Sequence, residues 1–299
     1  MHQLIDVSSV VDLPGEMEVA VEEFIPETAP VALLFCFPGG GCNSKYFDLN
    51  VPTDPSYSFA QSMSKAGSIV VIVDHLGVGG STQPPDGFDL TLDRLIAANR
   101  YIVETFRSRN TPGLPCVAVG HSMGALLAIL QQDRYQSFDA MALLGFSNCG
   151  MRHYLCPYGL ELANNLHRLK NASVELARQQ FGVGYANINV GESAHRGSVT
   201  QAAYAALSLA RGPLLTVPGA YSLVPGCLRD ESERIQVPVL IIAGDRDICG
   251  SPVEIRGQFD SAASVEALEL SDTGHMHFVY DSRQTLLSET KQWISRTFH

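Results

Sequence analysis

Three short stretches of this 299-residue chain carry side chains that could act together on a bond. They are Gly120-His121-Ser122-Met123-Gly124, Gly244-Asp245-Arg246-Asp247 and Gly274-His275-Met276-His277. A serine hydroxyl is a poor nucleophile until an imidazole takes its proton, and the imidazole serves best when a carboxylate fixes its orientation. Such a trio supports attack on a carbonyl carbon with an acyl-serine between two half-reactions. Two aspartates compete for the acid's place, Asp245 and Asp247, and two histidines for the base's, His275 and His277.

The elements around these stretches explain how they could meet. Val117 to Val119 is a short apolar run of the kind a strand covered on both faces needs. Ala125-Leu126-Leu127-Ala128-Ile129 begins a helix directly after Gly124. Ser122 therefore sits at a strand-to-helix reversal, and Gly120 and Gly124 lack side chains that would clash there. Further apolar runs predict strands at Val31 to Phe37, Ser68 to Asp74, Asp139 to Phe146, Val237 to Gly244 and Val265 to Leu270. Glu18 to Phe24 alternates as an exposed antiparallel strand near one edge would, and with Leu4 to Val11 it could form an opening hairpin. Helical patterns lie between the strands: Ser56 to Lys65, a stripe from Leu92 to Phe106, and a C-terminal face of Leu286, Leu287, Thr290, Trp293 and Ile294. The alternation predicts an α/β fold, a mostly parallel central sheet flanked by helices. In such a sheet the loops after the strands collect at one edge, and all three reactive stretches are loops of that kind.

Strand-Gly-x-Ser-x-Gly-helix resembles the nucleophile elbow of the α/β-hydrolase superfamily, and the resemblance covers the core from about Val19 to His299. It implies Ser122 as nucleophile, Asp247 as the acid and His275 as the base. Asp247 matches the family's Gly-x-x-Asp loop, while Asp245 is expected to be a turn residue. His277 is expected to pack beside Phe278 at the start of the last helix. The resemblance also places the oxyanion donors on the backbone of Met123 and Gly40, with Gly41 as a further substrate contact. Pro38-Gly39-Gly40-Gly41 stands where the family commonly has His-Gly-x-x, so proline replaces histidine. Asp74-His75-Leu76-Gly77-Val78-Gly79-Gly80-Ser81 resembles the family's Asp-x-Arg-Gly-x-Gly-x-Ser bend with Leu76 in place of arginine, and its role is expected to be structural.

From Ser147 to about Arg234 the strand rhythm is missing. Helical stretches near Leu160 to Lys170, Ser173 to Phe181 and Thr200 to Arg211 predict a cap inserted into the core. The division is a core of 1–146 and 235–299 and a helical cap of 147–234. The cap's tyrosine-bearing, apolar inventory favours a neutral, moderately hydrophobic ester or lactone, with His121, Tyr154, Tyr158, Phe181 and Tyr185 as candidate pocket residues. The same trio could serve a carbon–carbon bond hydrolase, a thioesterase or an acyltransferase, and the fold could also serve a small-ligand receptor. An aspartate-nucleophile dehalogenase or epoxide hydrolase is disfavoured by Ser122.

Composition limits the remaining classes. A formal net charge of −11 disfavours nucleic acid and anionic membranes as partners. No apolar run approaches the roughly 18 residues of a membrane span, and the first residues lack the basic-then-apolar order of a signal peptide. Seven cysteines with no Cys-x-x-Cys pair fit reduced thiols and a cytoplasmic setting. The glycine runs lack phosphate-loop and dinucleotide signatures, so no cofactor is expected. His275-Met276-His277 has no third ligand spaced for a metal. His153, His167 and His195 are expected to be ordinary cap histidines, and the sequence does not give the oligomeric state.

Overall fold

The computed structural model describes residues 1–52, 54–188 and 199–298. Its strands are β1 (His2–Asp6), β2 (Glu18–Phe24), β3 (Ala32–Phe37), β4 (Ser68–Val73), β5 (Cys116–His121), β6 (Ala140–Leu144), β7 (Tyr185–Ala186), β8 (Leu214–Leu215), β9 (Val239–Gly244) and β10 (Val265–Leu270). Eight of them form one sheet in the order β1-β2-β4-β3-β5-β6-β9-β10, and β7 and β8 form a separate antiparallel pair. The β1–β2 and β2–β4 pairings are antiparallel, and every pairing from β4 to β10 is parallel. This is the mostly parallel, helix-flanked sheet expected from the sequence.

Alternation along the central strands feeds two cores. Leu33, Phe35 and Phe37 of β3, with Ala118 of β5, pack on one face against Leu95, Ile96, Ile102 and Phe106 of the helix Leu92–Arg109. Leu34 and Cys36 point the other way, with Val117 and Val119, toward Phe59 and Met63 of the helix Phe59–Lys65 and Trp293 of the helix Arg283–Phe298. A strand buried on both faces needs apolar residues at every position, which is why these runs show no polar alternation. The strand Glu18–Phe24 departs from expectation. It lies next to the edge and pairs antiparallel with β1, as expected, but it is not exposed, because Val19, Ala20 and Val21 are all buried.

Between β6 and β9 the described chain runs through the helices Pro157–Ala163, Ser173–Phe181, Gln201–Leu209, Thr216–Ser222 and Arg229–Arg234. The stretch expected as one helix near Leu160 to Lys170 is broken. It is a helix begun by Pro157 in its first turn and ended at Asn164, then a short 3-10 turn at Leu166–Arg168. Thr216–Ser222 contains Pro218 and Gly219, poor helix formers, so its sequence gives no helical signal; burial of Thr216 through Tyr221 supports it instead. Residues of this segment, among them Leu176, Val217 and Leu228, belong to the same apolar cluster as one face of the sheet. No helix among the described residues is long and apolar enough to cross a membrane.

Candidate active site

The parallel strands bring the reactive loops to one edge. Ser122 follows β5, the Pro38–Gly41 turn follows β3, Gly145 follows β6, Asp247 lies beyond β9 and His275 beyond β10. Ser122 stands between strand and helix at φ 51 and ψ −116, a backbone region that costs a non-glycine residue of order 1–3 kcal/mol and persists only when the surroundings enforce it. The enforcement comes from the two glycines. A Cβ on Gly120 would lie 2.5 Å from the Cα of Ala125, and one on Gly124 would strike the backbone of Phe37 and Pro38. The helix Met123–Tyr135 can therefore press its first turn against the end of β3.

That contact also sets two free donors side by side. Met123 is the first residue of its helix, where an N–H has no intrahelical acceptor, and among the described residues neither it nor the Gly40 N–H donates to another backbone carbonyl. The turn carrying Gly40 is held from beneath. His75 is fully buried, with Nε2 3.1 Å from the Pro38 carbonyl and Nδ1 3.4 Å from the Asn99 amide nitrogen. Asn99 donates to Nδ1, so the proton sits on Nε2 and is given to Pro38. The bend Asp74 to Ser81 is structural as expected: Asp74 accepts from Ser44 and Gly80, and the Ser81 hydroxyl donates to the Asp74 carbonyl.

The acid and base meet at hydrogen-bond distance. His275 Nδ1 lies 2.7 Å from Asp247 Oδ1, and the Asp247 side chain has no solvent exposure. Asp245 instead accepts from the backbone N–H groups of Asp272 and Thr273, both at 2.9 Å, closing the turn that carries His275. His277 is not where the sequence put it. It opens the 3-10 turn His277–Val279 rather than the last helix, and its Nε2 is 2.6 Å from Asp247 Oδ2. Burial pushes the Asp247 carboxyl up, but the adjoining charge and hydrogen bond of His275, with those of His277, outweigh it and hold the group well below the usual carboxylate range. Gly145 (φ +60) permits the approach, since a Cβ there would lie 3.1 Å from the His275 ring and 3.3 Å from Asp247 Oδ2.

Ser122, Met123 and His275 line two adjoining spaces. A large cavity of about 680 Å³ is walled by Gly40, Met151, His153, Tyr154, Gln180, Phe181, Ile188, Leu214, Leu223, Ile248 and Met276, with Asp247 at its edge. A smaller lobe of about 60 Å³ runs under Gly145, Phe146, Ser147, Cys227 and Cys249. Of the candidate pocket residues, Tyr154 and Phe181 line the large cavity. The other four do not. His121 is fully buried behind the serine and donates from Nε2 to the His275 carbonyl at 2.8 Å. The Gly41 carbonyl is taken by the Gly212 N–H, the Tyr185 hydroxyl donates to the Pro84 carbonyl, and Tyr158 packs against the apolar core. His153, expected to be an ordinary histidine, does border the cavity, and its ring lies against Tyr154 with centroids 4.2 Å apart. His195 lies outside the described residues. Met151, Ile248 and Met276 follow strand or loop ends by a few residues, and no local pattern marks them.

The profile of the family described as "Serine aminopeptidase, S33" matches residues 56–279, a span from before β4 to past His277. The chain belongs to this family. It is an enzyme of the α/β-hydrolase superfamily. A monoglyceride lipase homolog of monkeypox virus is 33% identical over 123 residues, 40% of this chain and 40% of that protein, so the chain spans about two fifths of that relative's length. A thermostable carboxyl esterase of Bacillus coagulans shares the fold with a TM-score of 0.69 over 100% of this chain and 99% of the other, at 14% identity. A haloalkane dehalogenase loop variant from Bradyrhizobium elkanii superposes nearly as well, with a TM-score of 0.67 over 99% and 97% at 14% identity. Enzymes named for such different reactions on one backbone show that the reaction of this hydrolase must be argued from its own side chains.

Two buried imidazoles give this hydrolase an acid limit. Burial chiefly depresses both: His75 is lowered, and His121 is lowered well below 6.5, with the neighbouring His275 and His277 adding to the second effect. The unfolded chain takes up those protons near 6.5 and the folded chain does not, so stability falls as pH drops below that value. Asp247, with its lowered folded value, loses its contribution only further down, as pH falls below about 4. The melting temperature is expected to be flat from pH 8 to 7 and to drop by roughly 5 °C or more by pH 5, measured by calorimetry.

Proposed function

We propose that this hydrolase cleaves a neutral, moderately hydrophobic carboxylic ester through an acyl-enzyme on Ser122. The observation that carries the reading is a serine held at a strained strand-to-helix turn and opening on the same cavity as an imidazole bonded to a buried carboxylate. In this reading Ser122 Oγ attacks the ester carbonyl while His275 Nε2 takes its proton. The carbonyl oxygen becomes an oxyanion facing the N–H groups of Gly40 and Met123. Collapse expels the alcohol, which receives the proton from His275, and water then repeats the sequence on the acyl-serine. Asp247 holds the His275 tautomer that presents Nε2 to the serine.

The cavity wall supports both the neutrality and the ester. No lysine or arginine lines either space among the described residues, so nothing there pairs with a substrate carboxylate. An aminopeptidase would need a carboxylate for the substrate's ammonium group. Among the described residues Asp247 is the one acidic residue at the cavity wall, and its buried carboxylate is engaged on both oxygens by histidines. Met151, Phe181, Leu214, Leu223, Ile248 and Met276 offer apolar surface for a hydrocarbon arm, in a volume ordinary for small-molecule sites. The viral relative's name adds monoglycerides to the esters worth testing. We also take residues 147–234 as a cap over a core of 1–146 and 235–299, because they supply most of the cavity wall opposite Ser122. The cysteines are free thiols, in keeping with a cytoplasmic setting.

The test is a set of initial rates on 4-nitrophenyl esters from acetate to laurate, monoacylglycerols, lactones and aminoacyl 4-nitroanilides, with Phe181→Ala alongside. Esters of medium chain are expected to turn over at least about 100-fold faster than any anilide. Phe181→Ala is expected to move the chain-length optimum rather than abolish turnover. Faster anilide cleavage would overturn the ester reading in favour of peptide hydrolysis.

A further inference from the structure

The acid of the proposed triad has a second partner. Asp247 presents Oδ1 to His275 Nδ1 at 2.7 Å and Oδ2 to His277 Nε2 at 2.6 Å, and none of the three side chains has more than slight exposure. The tautomer of His277 follows from its surroundings. Its Nδ1 is buried and has no partner, so a proton there would be an unpaired donor away from water; the proton sits on Nε2 and is given to the carboxylate. A carboxylate rotates readily about its last torsion. With each oxygen held by a different imidazole, that rotation is removed.

We propose that His277 is a positioning residue that clamps Oδ2 of Asp247 and so aims Oδ1 at His275. The inference rests on the reading of Asp247 and His275 as the acid and base of the ester hydrolase. His277 does not line the cavity and touches no substrate. It acts through the carboxylate in two ways. It fixes the direction of the Asp247–His275 bond, and it draws off part of the charge that would otherwise concentrate on Oδ1. Among the described residues the other titratable groups facing this cluster include His121, with ring centroids 4.7 Å from His275 and 5.6 Å from His277, Tyr46 tilted against His121 at 4.6 Å, Cys249, whose backbone N–H is 3.3 Å from Oδ1, and Tyr280, whose hydroxyl burial and the Asp247 charge keep protonated. Burial keeps His121 neutral and the Tyr46 hydroxyl and the Cys249 thiol protonated; the thiol also bonds to Asp247, His121 gives its Nε2–H to the His275 carbonyl, and the donor 2.6 Å from Oδ2 is the Nε2–H of His277.

Loss of that donor has a signature that simple destabilisation lacks. Charge returns to Oδ1, the imidazolium form of His275 is favoured, and the base stays protonated to higher pH. His277→Leu removes the donor, whereas His277→Gln can place an amide N–H near the position of Nε2. For His277→Leu on the preferred ester we expect kcat to fall about 30-fold with KM within about 2-fold, the loss that misaligned groups bring. The acid limb of kcat/KM is expected to move upward by about half a pH unit. His277→Gln should recover most of kcat and return the limb to its original place. In the Asp247→Asn background, His277→Leu should cost little more. The proposal is overturned if His277→Leu retains kcat within about 2-fold, or if both variants lose activity in step with their melting temperatures while the acid limb stays put. Ser122→Ala on the same ester separates this failure from a deeper one, because undiminished turnover there would remove the triad reading itself.

Discussion

Ser122→Ala is expected to lower kcat/KM on the preferred ester by about 10⁴-fold or more, leaving only what the backbone donors and the cavity supply. The folded state should survive, and its melting temperature should hold or rise slightly. Alanine keeps the Cβ that already fits at φ 51, and the described structure gives the serine hydroxyl no hydrogen bond whose loss would leave a partner unpaired. A gain in stability with a collapse in rate is the sign of a residue held under strain for chemistry. The measurement pairs steady-state rates with a thermal melt. A fluorophosphonate probe adds a direct reading, since wild type should gain one phosphonyl mass on the peptide bearing Ser122 and the variant should gain none. Equal rates in the two proteins would move the activity to another site.

Ser122 could be placed from sequence because every constraint on it is local. The apolar strand, the two glycines and the helix start lie within a few residues, and the physics that needs them is steric. The sheet was legible for a related reason, since a strand covered on both faces must be apolar throughout, and β3, β4, β5, β6 and β9 are fully buried runs. Glu18–Phe24 misled as to exposure because its glutamates suggest a solvent-facing side, although β1 pairs with it from Glu18 to Glu22 and Val19, Ala20 and Val21 are buried. The segment between β6 and β9 was legible only as a gap in the strand rhythm. Its Thr216–Ser222 helix is supported by burial against its surroundings, which a propensity argument cannot detect. The two-residue β7–β8 pair is too short to carry any periodicity.

Within the site, what remained hidden was pairing at a distance. His75 and His121 gave no sign in sequence that each would pin a carbonyl, the first Pro38 in the donor turn and the second His275 in the base loop. Together they tie four strand ends in two pairs: β4 to β3, and β5 to the loop after β10. The first tie also answers the proline at position 38. The turn is held by a hydrogen bond to the Pro38 carbonyl, a group that any residue there would supply, so proline at this position leaves the turn that carries Gly40 its support.

Asp247→Asn is the second large effect, and comparison with Asp245→Asn makes it specific. The two aspartates stand two residues apart in one loop, yet their partners differ in kind. Asp247 takes its two short hydrogen bonds from imidazole N–H groups, with a longer one at 3.3 Å from the Cys249 backbone N–H, while Asp245 takes both of its bonds from backbone N–H groups. An asparagine at 247 has one carbonyl oxygen and one NH₂ group, so it can accept from one histidine and must present a donor to the other. If the NH₂ faces His275, that ring is driven to the tautomer with its proton on Nε2 and can no longer take one from Ser122. If the oxygen faces His275, the amide lacks the charge that supports an imidazolium as it forms. Either orientation is expected to cost about 10³- to 10⁴-fold in kcat. Asp245→Asn keeps an oxygen for one backbone donor and loses the second, so it is expected to cost about 1 kcal/mol of stability, with kcat lowered less than about 10-fold. The unequal losses would be read from kcat at the pH plateau and from melts of both variants. Equal losses would mean that the loop as a whole, rather than the carboxylate between two histidines, sets the rate.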